Sequence, residues 1–453
     1  MNQGKYVFSQ ITDFIPKRHF ERMAAEYDDR TKGWELTHWS QMLVLMYGQL
    51  EGCRSLRELT DLTTAHGSKS FHLGFGRLPV NKSTLSKANQ LRGYRLFERF
   101  AYHMIGLAQD ARIDREFVID GKFYAFDSST ISLCMTLYEW AKFRSTKSGI
   151  KMHTQYDIVT DIPVAVTISN AEVHDVNAMD EIEYEPRACY IFDRGYWDLA
   201  RLFRINLLNS FFVIREKYRP KYEVTAGEDM LEGTDNVLRD QTVRFTTKGN
   251  RQHYPSEIRR IVYYAHEHKR TFVYYTNNYF LKASDIALLY KCRWKVESFF
   301  KWIKQHLQVK QFWGISENAV RIQIYVAIIT YCTVALIEKT LSLNRSVYEV
   351  LRVLSGSLLT KDSIADLFLP EREPVPVMNG QLQLEFQMLN FLIDTSEKYT
   401  KTSFVYFYYG CSSLCHKCYK DLQFINPNSI TIHKHIRQYY SRGKSGTGLF
   451  CPR

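Results

Sequence analysis

The stretch YKCRWKVESFFKWIK, residues 290–304, combines five basic residues with a single acid, Glu297. On a helix with 100° per residue, one sector of about 80° holds Tyr290, Arg293, Glu297, Lys301 and Lys304. A separate apolar sector holds Val296, Phe299, Phe300, Ile303 and Leu307. The pattern predicts an amphipathic helix that packs its apolar face inward and presents one carboxylate among cations.

The pattern alone leaves two interpretations of this helix open. A solvated charged face with i,i+4 ion pairs would explain Glu297 beside Arg293 and Lys301. That interpretation explains less well why aromatic residues lie in the same stretch. We expect Trp294 and Trp302 to be core or rim residues rather than residues that stack on bases. The alternative is a functional face built around Glu297.

Two further acids follow apolar, strand-like runs. Asp127 lies in FYAFDSST and Asp193 lies in YIFDRGYW. A carboxylate at the end of a buried strand is costly unless it is paired or binds a cation. Two Asp and one Glu could together hold a pair of Mg²⁺ ions, since hard cations favour carboxylate oxygens and phosphate substrates. A single Asp in such a place is more often a turn or cap residue, so the hypothesis depends on all three acids.

The order of patterns along the chain predicts an α/β protein. Residues up to about 112 show helical periodicity, as in WELTHWSQMLVLMYGQL. From about residue 115, β-branched and aromatic runs predict strands, including a hairpin with its turn at Thr160–Pro163. A polar, strand-like region follows at 217–277, and helical character returns after it. Strands followed by strand–helix alternation predict a mixed sheet.

Composition narrows the class of protein. A net charge of +12 suggests a polyanionic partner such as nucleic acid, although a merely basic enzyme would also fit. The start of the chain lacks the apolar core of a signal peptide. The longest apolar run, Ile324–Ile337, is too short to cross a bilayer and predicts a buried helix. Nine scattered cysteines fit a reduced environment, so we expect a cytoplasmic protein.

The spacing Y-x2-R-x3-E-x6-K is matched by Tyr290, Arg293, Glu297 and Lys304. It resembles the YREK signature of the insertion-sequence-four group of DDE transposases. The segments FDSSTISL and FDRGYWD resemble those around that family's first and second catalytic Asp, and KMHTQYDI resembles the strand that pairs with the first. The helical N-terminal region is similar to the domain that precedes the catalytic core in many members.

The resemblance implies an RNase H-like mixed sheet core, with a β-rich insertion between the second Asp and the Glu. The spacing agrees, since 66 residues separate Asp127 from Asp193 and 104 separate Asp193 from Glu297. We predict five segments: a helical N-terminal DNA-binding domain at 1–112, the first part of the core at 113–216, the insertion at 217–280, the second part of the core with C-terminal helices at 281–372, and a tail of uncertain structure at 373–453.

The resemblance also implies a mechanism. Asp127, Asp193 and Glu297 are the predicted catalytic and metal-binding residues, holding two Mg²⁺ ions for which Mn²⁺ can substitute. The enzyme would cut double-stranded DNA at the inverted-repeat ends of its element and join the released 3′-OH to target DNA. The predicted DNA contacts are Tyr290, Arg293, Lys301, Lys304, Arg194 and Tyr196. Pairing two ends implies at least a dimer in the DNA complex, in a prokaryotic, nucleoid-associated setting and without a membrane.

Two other functions stay open at this point. The chain could be an inactive or domesticated relative that only binds DNA, or a DDE-type nuclease of recombination. In the tail, Cys411, Cys415 and Cys418 have the spacing C-x3-C-x2-C of half a zinc site. A second cysteine pair at regular spacing is absent, so we expect no Zn²⁺ there.

Overall fold

The computed structural model describes residues 4–27, 36–112, 119–144, 147–229, 236–307 and 311–369. All of them belong to the first of two units of the chain, Met1–Leu369. The predicted tail at 373–453, with Cys411, Cys415 and Cys418, lies outside the described residues, so the expectation about Zn²⁺ stays a prediction.

The centre of this unit is a mixed sheet in the order β2-β3-β1-β5-β6-β10-β9-β8-β7, with β4 also paired to β3. The ten strands in the described ranges are β1 (Phe123–Leu133), β2 (Lys142–Arg144), β3 (Lys147–Asp157), β4 (Ile162–Asn170), β5 (Cys189–Phe192), β6 (Phe211–Arg215), β7 (Tyr222–Asp229), β8 (Val237–Phe245), β9 (Ile258–Ala265) and β10 (Arg270–Thr276).

Five of these strands confirm the predicted RNase H-like core. Strands β1, β3 and β4 form an antiparallel meander, and β5 and β6 run parallel to β1 on its other side. Strand β5 is buried throughout, as expected of a parallel strand covered on both faces. The turn between β3 and β4 lies at 158–161 instead of Thr160–Pro163, because Asp161 adopts a left-handed φ of 56° before β4 begins at Ile162.

The region predicted as a β-rich insertion continues the same sheet. Strand β10 pairs antiparallel with β6, and β9, β8 and β7 follow in antiparallel order. The guanidinium of Arg259 on β9 binds Asp240 at 2.7 Å and donates to the carbonyls of Asn278 and Leu281. Those carbonyls lie just before the helix that begins at Ala283, so Arg259 connects the predicted insertion to the start of that helix.

Helices precede the sheet, connect some of its strands and follow it. Within the described ranges they are α1 (Val7–Asp13), α2 (Lys17–Tyr27), α3 (His38–Leu50), α4 (Leu56–Ala65), α5 (Lys82–Leu91), α6 (Tyr94–Ala111), α7 (Leu199–Leu207), α8 (Lys248–His253), α9 (Ala283–Cys292), α10 (Trp294–His306), α11 (Glu317–Thr340) and α12 (Val347–Ser355). Residues of the N-terminal helices share one hydrophobic cluster with residues of β1 and α11. The domain limits given above stay predictions.

Helix α11 contains the apolar run Ile324–Ile337, and the prediction of a buried helix is confirmed. Ser316 caps its first turn by accepting a hydrogen bond from the backbone of Ala319. Among the described residues, α11 is the one helix long and apolar enough to cross a membrane, but 89% of its apolar window is buried inside the protein. That burial is typical of a core helix.

Candidate active site

The register of β1 and β5 places the two aspartates side by side. The two strands pair in parallel from Phe123 with Cys189 to Phe126 with Phe192. Asp127 and Asp193 are the next residue on each strand, so they lie side by side where this parallel pairing ends. Asp193 follows the last residue of β5, as predicted. Asp127 does not end its strand, because β1 continues to Leu133 in its pairing with β3.

The carboxylate of Asp127 is held from two sides. Its Oδ1 accepts a hydrogen bond of 2.8 Å from the backbone of Ser128, and its Oδ2 lies 3.2 Å from a guanidinium nitrogen of Arg293. Burial raises the pKa of Asp127 to about 6, against the lowering effects of Ser128 and Arg293. Repulsion from Glu297 and Asp193 raises the pKa further. The three acids therefore lie close enough to interact.

Arg293 connects the first acid to the third. It lies between α9 and α10 and donates a hydrogen bond of 2.6 Å to Glu297, one turn further along α10. Burial lowers the pKa of Arg293, but the bond to Glu297 and nearby negative charge raise it more, so the net shift is upward. The predicted i,i+4 ion pair of Arg293 with Glu297 is thus present, but Arg293 also binds Asp127. The apolar face of α10 is buried as predicted: Val296, Phe299, Phe300, Ile303 and Leu307.

Asp193 has its own partners. The hydroxyl of Tyr290 donates to its Oδ1 at 3.3 Å, and a guanidinium nitrogen of Arg215 lies 3.8 Å from the same atom. Sequence reasoning did not select Arg215. The available signal was its position at the end of β6, the strand next to β5, in SFFVIRE. We call Asp127, Asp193, Glu297 and the side chains that contact them the acid corner.

The acid corner fits a divalent cation in its chemistry, since carboxylate oxygens are the donors that hard cations prefer. Its geometry is that of ion pairs. Across the part of the chain that the structure describes, no group of three His, Cys, Asp or Glu is close enough to hold a metal ion. The guanidinium of Arg293 binds both Asp127 and Glu297.

Behind the aspartates, a buried polar network joins the two strands. The hydroxyl of Ser128 lies 2.7 Å from Nδ1 of His153 and 2.8 Å from the hydroxyl of Tyr196. Nε2 of His153 lies 2.8 Å from the hydroxyl of Ser169 on β4. Burial lowers the pKa of His153 to about 4, so its ring is neutral near pH 7. Ser128 follows one aspartate and Tyr196 lies three residues after the other, so the network fixes their spacing.

Known families match this part of the chain. The profile of the family described as Transposase DDE domain matches residues 120–333, which contain all three acids. A "Putative transposase y4zB" of Sinorhizobium fredii is 35% identical over 246 residues, which are 53% of this chain and 67% of the relative. The chain belongs to the family of DDE transposases.

Other relatives of this transposase are more distant. A "Probable transposase for insertion sequence element IS5377" of Geobacillus stearothermophilus is 27% identical, covering 64% of this chain and 79% of the relative. A "Putative transposase for insertion sequence element IS4SA" of Synechocystis is 28% identical, covering 63% and 80%. Residues 3–76 match a Domain of unknown function (DUF4372). A solved structure titled as the piggyBac transposase synaptic complex with hairpin DNA shows a TM-score of 0.40 at 11% identity, covering 83% of this chain and 82% of that chain.

The residues predicted to contact DNA fall into two groups in this transposase. Tyr290 and Arg293 are buried, with 6% and 5% of their surface exposed, and they point at the acids. Tyr196 is 2% exposed, so it has no surface to offer to DNA, and the structure gives it the contact with Ser128 instead. Arg194 and Lys301 are exposed.

Lys304 is intermediate between these two groups. Its ammonium donates to the hydroxyl of Ser129 at 2.6 Å and to the carbonyl of Thr130 at 2.7 Å, so it fastens α10 to β1. The two tryptophans have different surroundings. Trp302 is 7% exposed and belongs to the core, whereas Trp294 is 59% exposed beside the acid corner.

A groove of about 1180 Å³ adjoins the acid corner, lined mainly by β9, β10, α9 and the segments after β5 and β6. Seven arginines and lysines line it against three acids: Arg194, Arg215, Arg219, Arg260, Arg270, Lys291 and Arg293. We call this cleft the basic groove. Asp193, Arg293 and Trp294 line it too, so it opens onto the acid corner.

Proposed function

We propose that this transposase cuts the ends of its DNA element with a divalent cation held by Asp127, Asp193 and Glu297, and joins the cut ends to target DNA. The observation that carries the proposal is the parallel register that sets Asp127 beside Asp193, with Glu297 linked to Asp127 through one guanidinium. A divalent cation at such a site activates the attacking hydroxyl and stabilises the leaving oxygen at phosphorus.

The chain's own residues orient the carboxylates. The backbone of Ser128 fixes one oxygen of Asp127, and the hydroxyl of Tyr290 fixes one oxygen of Asp193. Lys304 holds α10 against β1 and so sets the distance of Glu297 from the strands. Groups positioned before the reaction lower its barrier because little rearrangement is needed during the step.

The proposed path for DNA runs along the basic groove. Arg194, Arg219 and Arg270 are exposed, and cations of this kind bind phosphates and release counterions. Lys301 extends the charged surface along α10. Tyr290, Arg293 and Lys304 would reach DNA only after their present contacts with protein rearrange. We extend the proposal to a dimer in the DNA complex, since two ends must be paired.

Cleavage of the element's own ends with Mg²⁺ tests the proposal. Asp127→Asn, Asp193→Asn and Glu297→Gln keep side-chain shape but remove negative charge. Each should lower the cleavage rate by at least about 10²–10³-fold, the usual loss when a charge-stabilising group is removed, while each variant still binds the ends. Asp157→Asn is the matched control, because Asp157 caps the turn after β3 and should leave cleavage unchanged.

The same assay separates the two other candidate functions. A relative that only binds DNA would show no cleavage in the unsubstituted chain. A nuclease of recombination would cut DNA without joining the released 3′-OH to a target duplex. Cleavage that persists at the unsubstituted rate in any one of the three acid variants would remove that residue from the site.

A further inference from the structure

The side chain of Arg293 is a buried cation that binds two of the three acids. It is 5% exposed and contacts two acids at once, Asp127 at 3.2 Å and Glu297 at 2.6 Å. Within the described part of the chain, its buried Nε makes no hydrogen bond. A buried guanidinium with one unsatisfied donor is held by charge and not by a complete set of hydrogen bonds.

The position of this guanidinium is the one that a cation shared by the two carboxylates would need. We propose that Arg293 is a resident counter-ion of the DNA-free protein, which competes with the divalent cation for Asp127 and Glu297 and withdraws when a phosphate of DNA binds it. This inference rests on the proposed function. It makes the binding of DNA and the binding of the divalent cation two linked events.

The surroundings of Arg293 give its side chain somewhere to go. Arg293 lines the basic groove together with Trp294 and Arg194, so the groove gives a phosphate access to the same side chain. Its Cζ is 5.8 Å from the ring of Tyr290 and 5.7 Å from that of Trp294, distances at which a guanidinium interacts with an aromatic face. The backbone also departs from α-helical bonding here, because i,i+3 hydrogen bonds join Tyr290 to Arg293 and Arg293 to Val296, a pattern that often marks a hinge.

Thermodynamic linkage sets the size and direction of the effect. If DNA removes the competitor of the divalent cation, the cation must in turn strengthen DNA binding by the same factor. Couplings of this kind typically change affinity by about 5- to 150-fold. A protein that binds its cation weakly until DNA arrives would keep its carboxylates neutralised in the meantime.

Binding of Mn²⁺ alone, followed by electron paramagnetic resonance in the absence of DNA, tests the competition. Arg293→Ala should bind Mn²⁺ about 5- to 150-fold more tightly than the unsubstituted chain. Arg293→Lys should fall between them, because an ammonium cannot bridge two carboxylates as a planar guanidinium does. The control is Arg112→Ala, since Arg112 is a half-buried arginine that binds Glu338 at 2.6 Å away from the acid corner. It should leave the affinity for Mn²⁺ unchanged.

A second titration tests the linkage. With an end duplex whose scissile linkage resists cleavage, both proteins should gain affinity for Mn²⁺ from the phosphate oxygens, but the unsubstituted chain should gain more than Arg293→Ala, because only it has a competitor to lose. Thermal unfolding with and without Mn²⁺ shows that the variant is folded, and Mn²⁺ should raise the melting temperature of Arg293→Ala more than that of the unsubstituted chain.

The outcomes separate this inference from the proposed function. Equal affinity for Mn²⁺ in Arg293→Ala and the unsubstituted chain overturns the role of Arg293 as a competitor, even if Asp127→Asn and Glu297→Gln lose Mn²⁺ binding. If those two acid variants bind Mn²⁺ as well as the unsubstituted chain, the acids are not its ligands, and the proposed function fails with the inference.

Discussion

The acid corner and the basic groove adjoin each other but use charge in opposite ways. In the acid corner, Arg293 is buried and bound to two carboxylates, and Lys304, further along α10, is bound to β1. In the groove, Arg194, Arg219 and Arg270 are exposed. The difference shows that a cation in the Y-x2-R-x3-E-x6-K pattern need not be available to DNA. In the DNA-free protein, the exposed cations of the groove are available to phosphates, whereas the positive charge of Arg293 is neutralised by the carboxylates of the acid corner.

The largest expected effect concerns the buried network behind the acid corner. In the native protein, burial lowers the pKa of His153 to about 4, with Asp175 opposing and Lys151 adding to the shift. Native His153 therefore binds fewer protons than the unfolded chain between pH 4 and 6.5, and acid favours unfolding there. As pH falls from 6.5 to 4, the chain should lose up to about 3 kcal/mol of stability relative to His153→Gln.

Urea unfolding of both proteins in metal-free buffer at several pH values measures that difference. The opposite contribution of Asp127, whose pKa is raised, is present in both proteins and cancels in the comparison. If the unfolding free energies of the two proteins change with pH in the same way, His153 is not buried and neutral. The network around it would then be open to solvent, as the groove is.

The next effect concerns the groove. Replacing Arg194, Arg219 and Arg270 together with Ala should weaken binding to duplex DNA on the order of 100-fold near 0.1 M salt, because three phosphate contacts are lost. The slope of log affinity against log salt should fall by about 0.9 for each contact. Fluorescence anisotropy with a labelled end duplex at several salt concentrations measures both quantities.

A matched triple variant controls for the change in net charge. Lys339, Arg345 and Arg352 are exposed on the far part of α11, the following turn and α12, outside the groove. Their replacement with Ala should leave the salt slope within about 0.5 of the unsubstituted value. If both triple variants lose affinity equally, binding depends on overall charge and the groove has no special role.

The smallest effect separates a positioning role of Tyr196 from the DNA contact expected from the sequence. Tyr196→Phe removes the hydroxyl that contacts Ser128 and should cost about 1 kcal/mol of unfolding free energy, with little change in DNA affinity. The cleavage rate of Tyr196→Phe should fall. Lys301→Ala should instead weaken DNA binding and leave the unfolding free energy nearly unchanged, since Lys301 is exposed. Tyr184→Phe, which removes a hydroxyl bound to the carbonyl of Met179, is the control for stability.

The sequence predicted the elements of the acid corner because each has a strong local signal. Apolar runs locate the two strands that carry Asp127 and lead to Asp193, and helical spacing brings Arg293 and Glu297 to one face. The parallel register that aligns the two aspartates follows from those runs only once the family resemblance supplies the strand order.

What each side chain of that helix contacts could not be predicted. Angles on a helical wheel place Tyr290, Arg293 and Lys304 in one sector, but the contacts of each side chain depend on the neighbouring strands and loops. Tyr290 donates a hydrogen bond to Asp193, Lys304 donates one to β1, and Lys301 is exposed to solvent. Likewise, nothing in the residues after Asp193 indicates that Tyr196 turns inward to Ser128.

The continuous hydrogen bonding from β6 into β10 limits how this enzyme could be re-engineered. Because the inserted strands complete the edge of the catalytic sheet, they are not a cassette that can be exchanged between transposases. Deleting residues 217–280 would leave β6 as a bare edge with unpaired backbone groups, a template for aggregation. A shortened enzyme would need a replacement strand on β6 before any change in DNA preference could be interpreted.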